Sequence, residues 1–174
     1  MARIPYFDFN QASPALAKIM EGRRPLNMYG LIGHADESAI SFLGLGRSLL
    51  TASTLEPRLR ELVILRTATL CGADYEIRQH RKTAARIGIA ATKVEAVTVN
   101  AEGRIHPAAF NASELAVLNF TDGVVRDVKA SKLLFDAVTT VLTQRQLVEL
   151  LMLIGFYLTA SRIGENLEID LEQD

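Results

Sequence analysis

Apolar positions recur along this chain at helical spacing. Between Pro57 and Leu70 the run PRLRELVILRTATL spreads Leu59, Leu62, Val63, Leu65, Ala68 and Thr69 over too broad an arc for a helix with one wet face. It predicts a buried helix, with Pro57 near its start, where a missing N–H costs nothing. Glu61 sits in the middle of that apolar surface. Cys71 and Gly72 break the pattern, and Asp74 is a candidate N-cap for a second helix running to Ile87, with Gly88 in the C-terminal stop position. The same reasoning predicts helices from Pro14 to about Glu21 with Ser13 as cap, from Glu37 to Leu50, from Ala91 to Ala101, from Glu114 to about Val125 with Ser113 as cap, and from Lys132 to Val141. Leu26 to Gly33 reads as a short helix or turn. The last helix, Gln144 to Arg162, is apolar nearly all round: Val148, Leu151, Met152, Gly155, Phe156, Thr159 and Ile163 make one stripe, and Leu147, Leu150, Ile154, Tyr157 and Leu158 fill much of the rest. Such a helix must be covered on several sides, and subunit contact is the natural source. Strand-period alternation is nowhere sustained, so the expectation is one all-α domain over residues 1–174, of about seven or eight helices with no sheet.

Between these segments, Met1 to Pro14 reads as an extended arm whose Tyr6, Phe7 and Phe9 anchor it on a neighbouring subunit, over a pocket, or on its own domain. Gly22 to Pro25 ends the first helix, Glu102 to Phe110 is a loop, and Asp127 to Ser131 is a connector. ELVILRTATL (Glu61 to Leu70) and ELLMLIGFYL (Glu149 to Leu158) echo one another, by a true repeat or by shared composition.

Composition narrows the classes. With 49% apolar and 22% charged residues over 174 positions the chain suits an ordinary globular domain with a sizeable core. Its formal net charge of −1, without a basic run, gives no footprint for nucleic acid. The single cysteine, Cys71, excludes an intrachain disulfide, and no C-x-x-C or His/Cys cluster suggests structural zinc. The opening MARIPYFDFN has no long apolar h-region, so the expected location is the cytoplasm. The longest apolar stretch, Leu147 to Ala160, is interrupted by Glu149 and reads as too short to span a bilayer.

The chemistry centres on the second helix of the Leu55 to Gly88 stretch. Glu76 and His80 are four residues apart, so they share a face, separated by roughly 40° of rotation. On a stripe continued by Thr83, Ala84 and Ile87 they are partly desolvated, which raises a carboxylate pKa and lets a histidine share its proton. Glu76 also lies in the first helical turn, where the backbone N–H groups favour its anion, so the two effects oppose each other. Alone, such a pair is most often a surface contact worth a few tenths of a kcal/mol.

The pattern LxPRxRELVILRxAxL, then YExxxH and an AAxxGI tail, carried by Leu55, Pro57, Arg58, Arg60, Glu61, Leu62, Tyr75, Glu76, His80, Ala84, Ala85 and Gly88, resembles the carboxymuconolactone decarboxylase family, which includes the alkylhydroperoxidase D-like proteins. LNMYGLIGH (Leu26 to His34) and TQRQLVELLMLIGFYLTASRI (Thr143 to Ile163) extend the resemblance to most of the chain. Relative to the peroxidase branch, Ala73 and Glu76 stand where the two cysteines of its CxxC pair would be, so a two-cysteine cycle is not expected. Cys71 is either an inert packed thiol or the thiol of an antioxidant hydroperoxidase served by an external partner.

The Tyr-Glu-x-x-x-His arrangement resembles the decarboxylase-type branch. The implied reaction is loss of CO2 from a small lactone acid of aromatic-compound breakdown, with reprotonation of the carbanion and no metal or organic cofactor. In that reading His80 is the general acid, Glu76 and Glu61 set its tautomer and pKa, and Tyr75 borders the substrate. Arg66 or Arg162 holds the substrate carboxylate, unless each is an ion-pair partner of Glu61 or Glu165. His34 and Tyr29 border the pocket, although a capping or solvated His34 fits equally. A metal site of Glu61, Glu76 and His80 is disfavoured by the absence of a Glu-x-x-His spacing. The resemblance further implies trimers, or hexamers built from trimers. A non-catalytic oligomeric binding protein of the same fold is the remaining alternative.

Overall fold

The structure, a computed structural model, describes residues 1–98 and 105–172. Among these there are nine α-helices and no strand: α1 (Pro14–Met20), α2 (Asn27–Ile32), α3 (Glu37–Thr51), α4 (Pro57–Leu70), α5 (Asp74–Arg86), α6 (Ala91–Thr98), α7 (Ala112–Asp127), α8 (Lys132–Thr139) and α9 (Gln144–Asn166). The class is as expected. The number exceeds seven or eight because segment 27–32, short enough to read as a turn, closes a full helix. The end of the expected Ala91 to Ala101 helix and the start of the Glu102 to Phe110 loop lie outside the described residues. The rest of that loop includes a 3-10 turn at Pro107–Ala109. The chain divides into two compact units, Ser53–Ser161 and Met1–Ala52 with Arg162–Asp174.

The Ser53–Ser161 unit is built on α4, whose residues from Glu61 to Thr69 are all buried. It packs against α5, α6 and α7. Full burial of Leu62, Ile64 and Leu65 contributes about 1.5–3 kcal/mol each. The helix starts where the Glu56 carboxylate accepts the Leu59 N–H at 2.8 Å. It ends at Gly72, whose φ of +65° lets its own N–H reach Thr69 O and the Ala73 N–H reach Ala68 O at 2.9 Å. This tight reversal leaves Ala73 in the cap position of α5 with no side-chain cap bond. Asp74, expected as the cap, is therefore the first helical residue instead. Helix α7 also begins earlier than expected. Asn111, not Ser113, is its cap: Asn111 Oδ1 accepts the Glu114 N–H and Glu114 Oε2 accepts the Asn111 N–H, both at 2.9 Å.

Helix α9 is longer than the apolar pattern suggested and, at 23 residues, is long and apolar enough by length and composition to cross a membrane. Its packing is that of a core helix on one side. Leu150, Leu153, Ile154, Tyr157 and Ala160 are buried, while Val148, Leu151 and Met152 on the other side are 56%, 41% and 44% exposed. Glu149 ties its first turns to the chain entering α4 by accepting from Ser53 Oγ, Thr54 N and Thr54 Oγ1 at 2.8–2.9 Å and from Arg145 Nε at 2.9 Å. Desolvation works against this carboxylate's charge, but those donors hold its pKa down at about 2.

In the other unit, the N-terminal arm packs on α2 and the C-terminal segment. Phe7 N–H donates to Gly30 O at 2.8 Å, and Tyr6 OH donates to Asp170 Oδ2 at 3.0 Å. The arm is close because Gly30 and Gly33 have no side chain. A Cβ on Gly33 would stand 2.8 Å from Phe7 Cδ1, and one on Gly30 2.9 Å from Tyr6 Cδ1. Gly33→Ala is accordingly expected to lower stability by about 1–3 kcal/mol. It should also expose the bond after Phe7 to limited chymotrypsin digestion. A variant as stable and as resistant as wild type would contradict this packing.

Candidate functional site

The reversal at Gly72 lays α5 back along α4, and this brings together three groups the sequence places 4 and 19 residues apart. His80 Nδ1 lies 2.5 Å from Glu61 Oε1. His80 Nε2 lies 3.6 Å from Glu76 Oε2, one helical turn back. The side chains are 13%, 4% and 8% exposed for His80, Glu61 and Glu76, so all three are largely withdrawn from water. Tyr157 of α9 stands edge to face with the imidazole, ring centroids 5.0 Å apart at 86°. The apolar pattern had counted Tyr157 only among the residues that make the last helix apolar nearly all round. No signal in its own segment marks it, since the contact joins residues 77 positions apart.

Burial alone would push the His80 pKa down, because it disfavours the imidazolium. The hydrogen bond to Glu61, the Glu61 charge and the Glu76 charge act the other way, and the net direction is up from 6.5. With Nδ1–H donated to Glu61, a neutral ring would turn the lone pair of Nε2 toward a second carboxylate. A proton on Nε2 removes that repulsion. The cluster therefore favours a proton on an atom that faces Glu76 across a gap too long for a direct hydrogen bond. Chemically it is a proton donor whose conjugate base is supported by the Glu61 contact.

The other residues singled out from the sequence are placed differently. Arg66 is fully buried, but its fork meets Asp122 of α7, with Nε–Oδ1 and Nη2–Oδ2 both 2.6 Å. That bidentate pair binds α4 to α7. Tyr75 is buried, and on α5 it lies about 140° around from His80 rather than on the same face. Cys71, half-buried, caps the C-terminus of α4, ten residues and about 15 Å along the axis from Glu61. Tyr29, His34 and Arg162 belong to the other unit. There Arg23 lies over the Tyr29 ring at 5.6 Å, and exposed His34 donates from Nε2 to Pro5 O at 2.8 Å, a clasp on the arm rather than a cap. Arg162 is exposed. Among the described residues no three His, Cys, Asp or Glu side chains form a set arranged to hold a metal ion. A groove of about 370 Å³ lined by Tyr6, Phe7, Phe9, Arg23 and Asn27 lies by the arm.

Residues 37–121 match the carboxymuconolactone decarboxylase family. Among solved structures the chain is similar to an alkylhydroperoxidase AhpD core, an uncharacterised peroxidase-related protein from Ralstonia eutropha, with a TM-score of 0.79 at 15% identity over 99% of this chain and 93% of that one. It is similar to the debrominase Bmp8 in its apo form, with a TM-score of 0.78 at 17% identity over 97% and 91%. A protein of unknown function from Agrobacterium tumefaciens, a candidate AhpD antioxidant-defence protein, gives 0.70 at 19% over 79% and 92%. At these identities the likeness is one of fold. No curated protein matches the chain in sequence.

The raised pKa of His80 has a consequence for stability. A group whose pKa is higher in the folded state contributes stability that is complete below its unfolded pKa, about 6.5, and disappears as pH rises through the folded value. Glu61→Gln should therefore cost most at about pH 5–6.5, on the order of 3 kcal/mol, and progressively less in more alkaline solution. Urea unfolding of both proteins across that range checks this. A difference that is flat with pH, or grows with it, would refute the assignment.

Proposed function

We propose that this chain, whose residues 37–121 match the carboxymuconolactone decarboxylase family, is a cofactor-independent acid–base enzyme of that family, a decarboxylase-like lyase acting on a small lactone acid. The observation that carries the reading is His80, held between Glu61 and Glu76 and favoured in its protonated form. In the proposed step the C–CO2 bond breaks, its electron pair stays on the substrate as an enolate-like carbanion, and CO2 departs. The Nε2 proton of His80 then moves to carbon, and the neutral imidazole is recharged from solvent by way of Glu76. Nδ1 cannot be the donor atom, since Glu61 engages it. Departure of neutral CO2 carries the negative charge of an acid held near Glu76 away from its carboxylate and onto the delocalised enolate facing the Nε2 proton of His80, which favours the bond-breaking direction.

The hydroperoxidase reading would need Cys71 to work with this cluster, from the far end of α4 and without a second cysteine in the chain. The binding-protein reading leaves unexplained why a buried imidazole would be set between two carboxylates. Self-association, as a trimer or a hexamer of trimers, is assigned in this proposal to the exposed apolar side of α9, where Val148, Leu151 and Met152 share a surface with Gly155 and Thr159. Met152→Glu is expected to shift the sedimentation coefficient toward that of the monomer, and an unchanged profile would count against this face.

The function is tested with a carboxylated muconolactone, following CO2, beside hydroperoxide consumption. Wild type should release CO2, His80→Gln should be slower by about 10²-fold or more, and Cys71→Ser should match wild type. Peroxide loss that vanishes in Cys71→Ser, with no CO2 from wild type, would overturn the lyase reading.

A further inference from the structure

Glu61 fixes one atom of the His80 ring, Nδ1. A single hydrogen bond at Nδ1 restrains the swing about χ2 without fixing it, because that torsion is broad, without sharp staggered wells, and a hydrogen bond tolerates tens of degrees of misalignment. Nε2 does not stop it, since its 3.6 Å distance from Glu76 is beyond hydrogen-bond length. For Nε2 to keep one direction, another contact must damp the rocking that remains.

Tyr157 meets that requirement. Its ring stands at 86° to the imidazole with centroids 5.0 Å apart, inside the range of edge-to-face contact. Its residue is only 4% exposed, and the Phe156 ring packs on it at 5.2 Å and 74°. One turn to either side on α9, Leu153 and Ser161 are buried, so the helix cannot roll to carry the ring away. We propose that Tyr157 is a positioning residue for His80: it fixes the imidazole plane, and with it the direction in which Nε2 faces Glu76. Resting on the reading of His80 as the proton donor, this makes α9, which lies outside the family match of residues 37–121, a working part of the site.

The test is made on the full chain with ¹³Cε1-labelled histidine. The His80 Cε1–H order parameter should be about 0.85 in wild type and in Tyr157→Phe, which keeps the ring, and should fall below about 0.6 in Tyr157→Leu. Tyr157→Met serves as a second ring-deleting variant. In turnover, kcat should fall at least tenfold in Leu or Met with KM within twofold, and Phe should restore it. A folded Leu or Met variant whose His80 order parameter equals wild type overturns the proposal, as does failure of both to fold, which would make Tyr157 a core residue. If wild type turns over no lactone acid, the function proposed above fails, while the order parameters still decide the role of Tyr157.

Discussion

A carboxylate can be carried in its ionised form into the middle of a buried helix only where a cation or a set of donors meets it, because desolvation costs several kcal/mol otherwise. Helix α4 carries two such charges, Glu61 and Arg66, five positions and about 140° apart. Each is met from a different side: His80 of α5 reaches Glu61, and Asp122 of α7 reaches Arg66. The two pairs therefore fix how α4 is rotated between its neighbours. A slip of one position in its packing would leave both charges facing hydrocarbon. Apolar burial supplies most of the stability of this unit, and the ion pairs select one arrangement of it.

The two pairs nevertheless differ in what they can do. Arg66 and Asp122 are joined fork to fork, with both contacts at 2.6 Å. That pair is structural. The other pair contains a histidine, the side chain suited to exchanging a proton near neutral pH. His80 also has a second nitrogen that Glu61 does not use, facing Glu76. The constraint that orients the helix thus leaves one proton in a mostly dry position with one open direction, which is the requirement for general acid catalysis.

Most of the fold could be read from the sequence. The α4–α5 hairpin was legible because Pro57, Gly72 and Gly88 are breakers with defined positions and the apolar run between them is unambiguous. The caps were less so: Asn111 and Ser113 are both good cap residues, and only the reciprocal bond with Glu114 separates them. Asp74 looked like a cap because the sequence does not reveal that the preceding helix ends in a three-residue reversal. At the site, Glu76 with His80 was visible as an i,i+4 pair. Glu61 joined them through the family resemblance, as its contact crosses 19 positions. The Asp122 partner of Arg66 and the Tyr157 contact with His80 span 56 and 77 positions, and no local pattern encodes either.

The central claim is that His80 is held as an imidazolium with Nδ1 committed to Glu61 and Nε2 carrying the transferable proton. Titration of ¹⁵N-labelled histidine by NMR reads it most directly. The account predicts a His80 pKa above 6.5, with both ring nitrogens protonated at pH 6 and Nε2 losing its proton first as pH rises. A His80 pKa below 6.5, or loss of the Nδ1 proton first, would contradict it.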